Sequence, residues 1–331
     1  MKEEKTYWVL AVDIGGTKMD IAFINQHGSL HAPSQRMLVP FKEDGSADAE
    51  KIMDLLEPFV DDAKKKFEKF LGIGLSVCGN IDEETGEAVL VANLYWRNVP
   101  FGNMMQERFE IPVFSATDVR MALIAEVIWG KGAGYKHVAW MTLGTGYGGY
   151  LFLNGQIYGG THGFAGNLGH SIYDEIHGES CGCGQKGCFE SYVAGPAIAK
   201  QGQKAANEGR SSTLRSLQEE MNSSVTTQMV FKAAEQGDKE SLKIIDGVVR
   251  KLGISLSCMV NLLDLDMIIL GGGVWNGAPD FVERVDKCVR GFLMTEEAKR
   301  DLKIVRESFG NSALMGAAAN VFLKEGFLSF S

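Results

Sequence analysis

The chain has 331 residues, of which 45% are hydrophobic and 23% charged, and its formal net charge is −9. This length accommodates two domains with large apolar cores, and the composition excludes a disordered or fibrous protein. The acidic balance disfavours nucleic acid as a partner, because no Lys/Arg run exceeds the three lysines at 64–66.

The N-terminal segment MKEEKTYWVLAVDI contains an apolar run that is too short to span a membrane, and no small-residue cleavage site follows it. We therefore expect no membrane partner and a cytoplasmic location.

The first half of the chain predicts an α/β unit that starts with a hairpin. Residues 8–28 read as strand, Gly/Thr-rich turn and strand. Further along, the sequence predicts a strand near 34–40, an amphipathic helix over about 47–70, strands at 72–77 and 111–115, and a helix that ends at Gly130.

The second half echoes the first. Residues 138–156 repeat the pattern of strand, Gly/Thr-rich turn and strand. Helices are predicted at about 195–208, 225–236 and 239–263, then a buried strand in DMIILGGGV, and a final helix rich in small residues. The pattern indicates a duplicated α/β unit, with a Cys-rich insertion and with the two domains facing a cleft.

Two glycine-rich turns are candidates for phosphate binding. In DIGGTK, Gly15 and Gly16 allow backbone N–H groups to approach an anion, while Thr17 and Lys18 add a hydroxyl and a cation. A tight hairpin turn without a ligand explains this motif equally well when it is taken alone. LGTGYGG repeats the device, with Gly144, Thr145 and Gly146 in the turn.

A third glycine motif, ILGGGV, follows a buried strand. Gly271, Gly272 and Gly273 lie where ligands of open α/β sheets usually bind, and a flat ring such as adenine fits against bare backbone. A plain turn between strand and helix is the alternative.

Three of the six cysteines are clustered. Cys181, Cys183 and Cys188 form C-x-C-x4-C among glycines, and one upstream histidine completes a Cys3His set suited to structural Zn²⁺. Thiol redox chemistry is the alternative to zinc. The isolated cysteines lie in apolar stretches and are expected to be small buried residues: Cys78, Cys258 and Cys288.

Asp118 is the candidate acid/base residue. It lies at the start of a predicted helix, where the helix dipole favours the ionised form that a general base requires. From the residues alone, a simple N-cap explains an aspartate here as well.

Together these motifs resemble a known family. The order and spacing of DIGGTK, LGTGYGG and ILGGGV resemble the actin/hexokinase-like ATPase fold, and GHSIYDEIHGESCGCGQKGCFE is similar to the signature of the ROK family, which contains sugar kinases and repressors. The resemblance covers Val9 to about Gly326. It implies two actin-like (ribonuclease H-like) α/β domains flanking a central cleft, with a zinc-binding loop inserted at 170–190.

The implied domains are 1–120 and 121–311, with a C-terminal helix at about 312–331 that packs back on the first. The implied activity is ATP-dependent phosphorylation of a hexose or hexose derivative, with Mg²⁺ near Asp13 and Asp118 as the base. The resemblance also implies a homodimer. Nucleotide and phosphate contacts are expected from Asp13, Gly15, Gly16, Thr17, Lys18, Gly144, Thr145, Gly146, Gly271, Gly272 and Gly273.

The resemblance further implies a sugar pocket and assigns the fourth zinc ligand to His170, with His177 as the fallback. The implied sugar-binding residues are Gly79, Asn80, Asn93, Thr117, Asp118, Asn167, His170 and Glu190.

The chain departs from the family pattern at several of these positions. Thr117 stands in place of a sugar-binding Asn, Asn167 replaces the glutamate of the ExGH motif, and the loop that carries Asn93 is one residue shorter than usual. An amide lacks the charge-assisted hydrogen bonds that a carboxylate makes. These changes argue against an ordinary glucose specificity.

Two other functions compete with a kinase. A repressor of this family carries a helix-turn-helix domain ahead of the first hairpin, where only about seven residues stand here. A sugar-binding protein with regulatory or lost kinase activity is the second alternative, and the changed residues around Asp118 motivate it.

Overall fold

The computed structural model describes residues 5–330. The chain forms two compact units. The first comprises residues up to Tyr135, Gly155–Ile157 and the segment from Glu307 onward, and the second comprises Lys136–Asn154 and Tyr158–Arg306. Among the described residues, no helix has both the length and the apolar character needed to cross a membrane.

Single strands or groups of strands are separated along the chain by one or two α-helices, except that five successive α-helices lie between Tyr158 and Met267. The strands are β1 (Trp8–Ile14), β2 (Lys18–Asn25), β3 (Gln35–Leu38), β4 (Phe70–Val77), β5 (Asn80–Ile81), β6 (Ala88–Val91), β7 (Trp96–Val99), β8 (Val113–Thr117), β9 (Val138–Leu143), β10 (Tyr147–Leu153), β11 (Gln156–Tyr158), β12 (Met267–Gly271) and β13 (Lys303–Arg306). The helices are α1 (Ala49–Lys66), α2 (Phe101–Phe109), α3 (Asp118–Ile128), α4 (Glu190–Val193), α5 (Gly195–Asn207), α6 (Ser212–Met221), α7 (Thr227–Glu235), α8 (Lys239–Leu263), α9 (Phe281–Phe292), α10 (Glu296–Asp301) and α11 (Ser312–Lys324).

The two large sheets have the same strand order. The first runs β3-β2-β1-β4-β8, and the second runs β11-β10-β9-β12-β13. In each sheet a hairpin of antiparallel strands is followed by two parallel strands. This equivalence confirms the duplicated α/β unit that the sequence echo predicted.

Helix α1 packs on the first sheet through the apolar stripe that its sequence predicted. Ile52, Leu56 and Val60 are buried, and Asp48 caps the helix by accepting a hydrogen bond from the backbone N–H of Lys51 at 3.3 Å. The predicted helix extended to Phe70, but the structure ends it at Lys66. Phe67 leaves the helix and stacks on Trp8, with ring centroids 4.7 Å apart.

The small residues of α11 allow it to pack unusually close to its neighbours in the first unit. A Cβ at Gly316 would lie 1.6 Å from the carbonyl oxygen of Met121 in α3, and a Cβ at Gly74 would lie 1.9 Å from the carbonyl oxygen of Ala317. Both contacts are possible only for glycine. They seat α11 between α3 and the sheet, and they place α3 in the first unit, beyond the predicted boundary at 120.

A buried carboxylate also ties α3 to the segment that precedes α11. Glu126 is fully buried, and its Oε1 accepts a hydrogen bond from the N–H of Ser308 at 2.5 Å. Its Oε2 accepts hydrogen bonds from Ser308 Oγ at 2.6 Å and from the N–H of Lys131 at 3.2 Å. These donors offset the cost of burying the charge.

A small three-stranded sheet, β5-β6-β7, follows β4. Its strands are two to four residues long, and the sequence analysis did not predict them. Asn80 lies in β5, and Asn93 lies between β6 and β7; both were predicted to belong to the sugar pocket.

The isolated cysteines do not share one environment. Cys78 and Cys288 are half-buried, whereas Cys258 is exposed on α8. The expectation that all three are buried is therefore wrong, since the apolar face of α8 does not include Cys258.

Candidate active site and metal centre

The carboxyl ends of three parallel strands in the first unit bring several predicted residues to one edge. Asp13 lies near the end of β1, Cys78 and Gly79 follow β4, and Asp118 follows β8. The register pairs Asp13 with Ser76 and Val77 with Thr117. Ligands of α/β sheets usually bind at this edge.

Asp118 is the first residue of α3, and Thr117 is its N-cap. The Asp118 Oδ1 accepts hydrogen bonds from the N–H of Val119 at 2.9 Å and from Thr117 Oγ1 at 3.1 Å. Asp118 is therefore not the N-cap that the alternative interpretation proposed. Thr117 orients the carboxylate of Asp118.

The surroundings of Asp118 raise its proton affinity. Burial and, to a smaller extent, the negative charge of Asp13 raise the pKa of Asp118 to about 6, against the opposing hydrogen bonds from Thr117 and Val119. The nearby Cys78 thiol has its pKa raised to about 11 by burial and by the charge of Asp118. Cys78 therefore stays a neutral thiol at pH 7.

The DIGGTK turn lies beside these groups. The N–H of Gly15 donates to the carbonyl of Lys18 at 2.9 Å and closes the turn. A Cβ at Gly16 would lie 2.8 Å from the Cβ of Asn93, so the turn and the loop that carries Asn93 touch. Thr17 and Lys18 are exposed. The first unit thus brings a predicted phosphate turn and a predicted sugar residue together.

The Asp13 carboxylate is held by two donors. Ser76 Oγ donates to its Oδ1 at 2.6 Å, and Asn311 Nδ2 donates to its Oδ2 at 3.0 Å. Burial raises the pKa of Asp13, and the hydrogen bonds from Ser76 and Asn311 oppose that rise. The sequence analysis did not identify Ser76 or Asn311, because neither belongs to a motif.

The second unit contains a neutral cavity of about 420 Å³. Gly144, Thr145 and Gly273 of the predicted nucleotide residues line it. Gly271 and Gly272 are not part of this lining; a Cβ at Gly271 would lie 2.1 Å from the Trp140 ring, and Gly272 has φ +97°.

Two helices that the sequence predicted but did not assign to a site, α5 and α7, complete this cavity. Thr227 Oγ1 donates to the carbonyl of Gly195 at 2.7 Å and joins α7 to α5. The Phe231 ring covers Gly277, where a Cβ would lie 2.3 Å from it. The lining has no charged side chain, and its volume is in the range of small-molecule sites. The full lining is Gly144, Thr145, Gly195, Pro196, Ala199, Val225, Thr226, Thr227, Gln228, Phe231, Gly273, Val274 and Gly277.

The second unit also brings the clustered cysteines together with His170. Cys181 Sγ lies 3.6 Å from His170 Nδ1, and Cys183 Sγ lies 3.6 Å from Cys188 Sγ. All four potential ligand atoms lie within 4.8 Å of one another. Tetrahedral zinc with Zn–S distances of about 2.3 Å places sulfurs about 3.8 Å apart, so the 3.6 Å between Cys183 and Cys188 is compatible with this geometry. His177 is not part of the group; it is exposed, and its N–H donates to Asp174.

The backbone of the loop favours this arrangement. Cys181 N–H donates to the carbonyl of Gln185 at 2.9 Å, and Gly184 N–H donates back to the carbonyl of Cys181 at 3.1 Å. Gly187 has φ +74°, and a Cβ there would lie 1.9 Å from the carbonyl oxygen of Asp174. Only glycine fits at position 187, and the next residue is Cys188.

Glu190 connects the cysteine cluster to the second glycine turn. Its Oε1 accepts from Cys181 Sγ at 3.6 Å, and its Oε2 accepts from the N–H of Tyr147 at 2.9 Å. A Cβ at Gly146 would lie 2.9 Å from the same Oε2. Asn167 is exposed, and its Nδ2 donates to the carbonyl of Phe164 at 3.0 Å.

The fold is that of the actin-like ATPase class, and solved structures of ROK kinases are similar to it. A ROK family glucokinase from Streptomyces griseus, solved with glucose and AMPPNP, matches with a TM-score of 0.76 and 26% identity and covers 94% of this chain and 98% of that one. ROK hexokinase from Thermus thermophilus matches with a TM-score of 0.77 and 26% identity, over 97% and 100% of the two chains.

The sequence comparisons then identify the family. The ROK family model matches residues 9–324, and the chain belongs to the ROK family. A glucokinase of Halalkalibacterium halodurans is 32% identical over 81% of this chain and 80% of its own length. The xylose repressor of Caldicellulosiruptor bescii is 28% identical over 73% of this chain, and the match spans 60% of the repressor.

Proposed function

We propose that the protein is an ATP-dependent kinase that phosphorylates a hexose or a hexose derivative, with Asp118 as general base. The observation that carries the proposal is the Asp118 carboxylate, which has a pKa of about 6 and lies at the same strand edge as the DIGGTK turn. Glucokinases among the relatives support the same reaction class.

Asp118 accepts the proton of the attacking sugar hydroxyl. With a pKa of about 6, the carboxylate is mostly ionised at pH 7 and is still a stronger base than an ordinary aspartate. The hydrogen bonds from Thr117 and Val119 fix its orientation. Most of the rate enhancement in such transfers comes from positioning and charge stabilisation, and the base adds a smaller share.

The glycine turns bind the phosphates. Backbone N–H groups of DIGGTK and LGTGYGG, with the exposed Thr17 and Lys18, supply donors and a cation for the phosphate oxygens. The Asp13 carboxylate offers the oxygen ligands that Mg²⁺ prefers. When bound, Mg²⁺ would neutralise charge on the phosphates.

The cavity of the second unit is assigned to the adenosine. Its volume of about 420 Å³, its uncharged lining and the bare backbone of Gly144 and Gly273 suit a flat, neutral base. The AMPPNP complex of the similar Streptomyces griseus glucokinase supports a nucleotide in this family.

Cys181, Cys183, Cys188 and His170 are assigned to a structural zinc. Four protein ligands leave no open coordination position, so the metal would order the loop, and structural zinc contributes about 10–16 kcal/mol to folding in small domains. His170 turns its Nδ1 toward the thiols, which leaves Nε2 for a sugar hydroxyl. Glu190 is held by the LGTGYGG turn beside it.

The sugar is expected to differ from glucose in its contacts with Thr117 and Asn167. Asn167 presents a neutral amide that is partly engaged by the carbonyl of Phe164. A sugar that carries its own hydrogen-bond acceptor, such as an N-acetyl group, can accept a hydrogen bond from the Asn167 amide. A carboxylate at this position would repel that acceptor.

The test is an ADP-release assay with purified protein, ATP and Mg²⁺ over a panel of hexoses and N-acetylhexosamines. We expect turnover with at least one sugar and little ADP without sugar. Binding of each sugar is measured calorimetrically in parallel. Sugars that bind without ADP release, across the whole panel, would contradict the kinase.

That contradicting result defines the second candidate, a sugar-binding regulatory protein. The observation that favours it is the set of changed residues at the base, with Thr117 and Arg120 where the family pattern has Asn. Repressors among the relatives show that the family fold also serves regulation. The retained Asp13, Lys18 and Asp118 favour the kinase.

A further inference from the structure

The segment that starts α11 reaches directly into the candidate active site of the first unit. Asn311 Nδ2 donates to Asp13 Oδ2 at 3.0 Å and to Asp20 Oδ2 at 3.0 Å. These partners lie 298 and 291 positions away along the chain. A single side-chain amide thus joins β1, β2 and the final helix.

The orientation of this amide is fixed by a second role. Asn311 is the N-cap of α11, and its Oδ1 accepts a hydrogen bond from the N–H of Leu314 at 2.9 Å. With the oxygen committed to the helix, the amino group must face the carboxylates. The opposite orientation would place the amide oxygen against two carboxylates and would leave the helix uncapped.

Among the described residues, Asp20 forms a direct ion pair beside Asn311, whereas Asp13 feels the charge of Arg36 only from a distance. Asp20 is 8% exposed and is paired with Arg36, whose Nε and Nη2 each lie 2.7 Å from its oxygens. This bidentate pairing lowers the pKa of Asp20 and compensates its charge. Within residues 5–330, the side chains that donate hydrogen bonds to Asp13 are the neutral Ser76 and Asn311.

Two donors on different oxygens fix the plane of the Asp13 carboxylate. Ser76 Oγ holds Oδ1 and Asn311 Nδ2 holds Oδ2, and each oxygen keeps a second lone pair. Removing one donor frees rotation of the carboxylate about its last torsion, which is soft for aspartate.

We propose that Asn311 is a positioning residue for binding of the magnesium nucleotide: it holds Asp13 in the orientation that the metal-bound phosphates require. The inference rests on the proposed function, and it adds a residue from the C-terminal helix to the site. Asn311 acts through Asp13 and does not itself contact the substrate.

Two variants separate this role from helix capping. Asn311→Ser keeps a preferred N-cap, but its shorter side chain does not reach Asp13. Asn311→Asp keeps the size and the cap oxygen, but it replaces the donor with an acceptor facing two carboxylates. The control is Asp238→Ser, which exchanges the N-cap of α8 in the second unit.

The measurements are the melting temperature, calorimetric affinity for Mg·ADP, and kcat and KM with the best sugar of the panel. For Asn311→Ser we expect a melting temperature a few degrees below wild type, because the Asp13 and Asp20 carboxylates lose a donor. We also expect about 10-fold weaker Mg·ADP binding, a kcat lowered about 10- to 100-fold and an unchanged KM for sugar. Asn311→Asp should bind Mg·ADP more weakly still, and Asp238→Ser should bind it like wild type.

Wild-type Mg·ADP affinity and kcat in Asn311→Ser would overturn the inference. Should that variant melt below the assay temperature, Asn311→Asp decides, and wild-type Mg·ADP affinity there would overturn the inference as well. Failure of the proposed function is distinguishable, because a wild-type protein that phosphorylates no sugar still reports on Asn311 through Mg·ADP binding.

Discussion

The two sheets share one strand order but present different chemistry at equivalent positions. In the first sheet, Asp13 pairs in register with Asp20 on one side and with Ser76 on the other. In the second sheet, Thr142 pairs with Gly148 and Gly271. The first hairpin therefore carries carboxylates, and the second carries small neutral residues.

The two units therefore differ in the chemistry that surrounds their hairpins. Around the first hairpin, Asp13, Asp118, Ser76 and Asn311 form a charged and hydrogen-bonded site. Around the second hairpin, an uncharged cavity and a Cys3His cluster surround the glycine turn. The two copies of one strand order therefore differ in the side chains at their strand ends.

The largest expected effect belongs to Asp118. Asp118→Asn keeps the size of the side chain but removes the base, so kcat should fall about 10²- to 10⁴-fold. Calorimetry should find sugar binding close to wild type, and exposed Asp61→Asn on α1 serves as control. Activity within a factor of two of wild type would remove Asp118 as the base.

The pH dependence of kcat/KM should report the same carboxyl. Because the pKa of Asp118 is about 6 and the base must be ionised, kcat/KM should fall about tenfold per pH unit below pH 6 and level off above it. A profile that stays flat down to pH 5 would contradict this assignment.

The same pKa makes a prediction for stability. The native carboxyl holds its proton up to about pH 6, whereas an ordinary aspartate releases it near 3.8, so ionisation costs stability as pH rises through this window. Asp118→Asn should therefore melt at a higher temperature than wild type at pH 7. The gain should shrink at pH 4.

The proposed zinc site of the second unit should lose its metal when one of the four Cys3His residues is replaced. Cys183→Ser should lower zinc from about one per chain to near zero and raise KM for sugar about tenfold, because the loop carrying His170 and Glu190 loses its order. Cys258→Ser changes an exposed cysteine outside the cluster and should keep its zinc. Metal analysis that finds no zinc in reduced wild-type protein would contradict the assignment.

Filling the cavity of the second unit should weaken nucleotide binding and leave sugar binding unchanged. Ala199→Phe places a ring in the cavity, so KM for ATP should rise about tenfold while sugar affinity stays unchanged. Lys200→Phe adds the same ring at the next, exposed position outside the lining and should leave KM for ATP unchanged. Equal KM values for ATP in the two variants would show that the adenosine does not bind in this cavity.

The smallest expected effect concerns selectivity. Asn167→Glu restores the acidic residue of the family motif, and the ratio of kcat/KM for glucose over N-acetylglucosamine should rise about fivefold, as one added charge-assisted hydrogen bond implies. An unchanged ratio would show that Asn167 does not select the sugar.

Apolar spacing in the sequence predicted those helices and strands whose pattern lies within one continuous segment. Helix α8 was predicted at 239–263 and spans Lys239–Leu263, because its apolar spacing runs along its whole length. The end of α1 was missed, because Phe67 and Phe70 continue the helical spacing while Phe67 stacks on Trp8. The strands of the small sheet are too short to show any period.

The site was predictable only where it lies in motifs. The cysteines and His170 gave a metal-ligand pattern, and the structure brings their side chains together. Asn311 gave no signal, since its partner Asp13 lies 298 positions away and an asparagine before a helix is explained as a cap. The sequence also did not show that the missing side chain of Gly271 makes room for the Trp140 ring, because Trp140 lies on a different strand.

In the proposed reaction, a phosphoryl group passes from ATP to a sugar hydroxyl, and Asp118 acts as general base. The most direct measurement is ³¹P NMR of the wild-type protein and Asp118→Asn with ATP, Mg²⁺ and the best sugar of the panel. The account predicts a sugar phosphate resonance that grows in step with ADP in wild type and is nearly absent in the variant. Inorganic phosphate as the only new product, or equal sugar phosphate in both proteins, would contradict it.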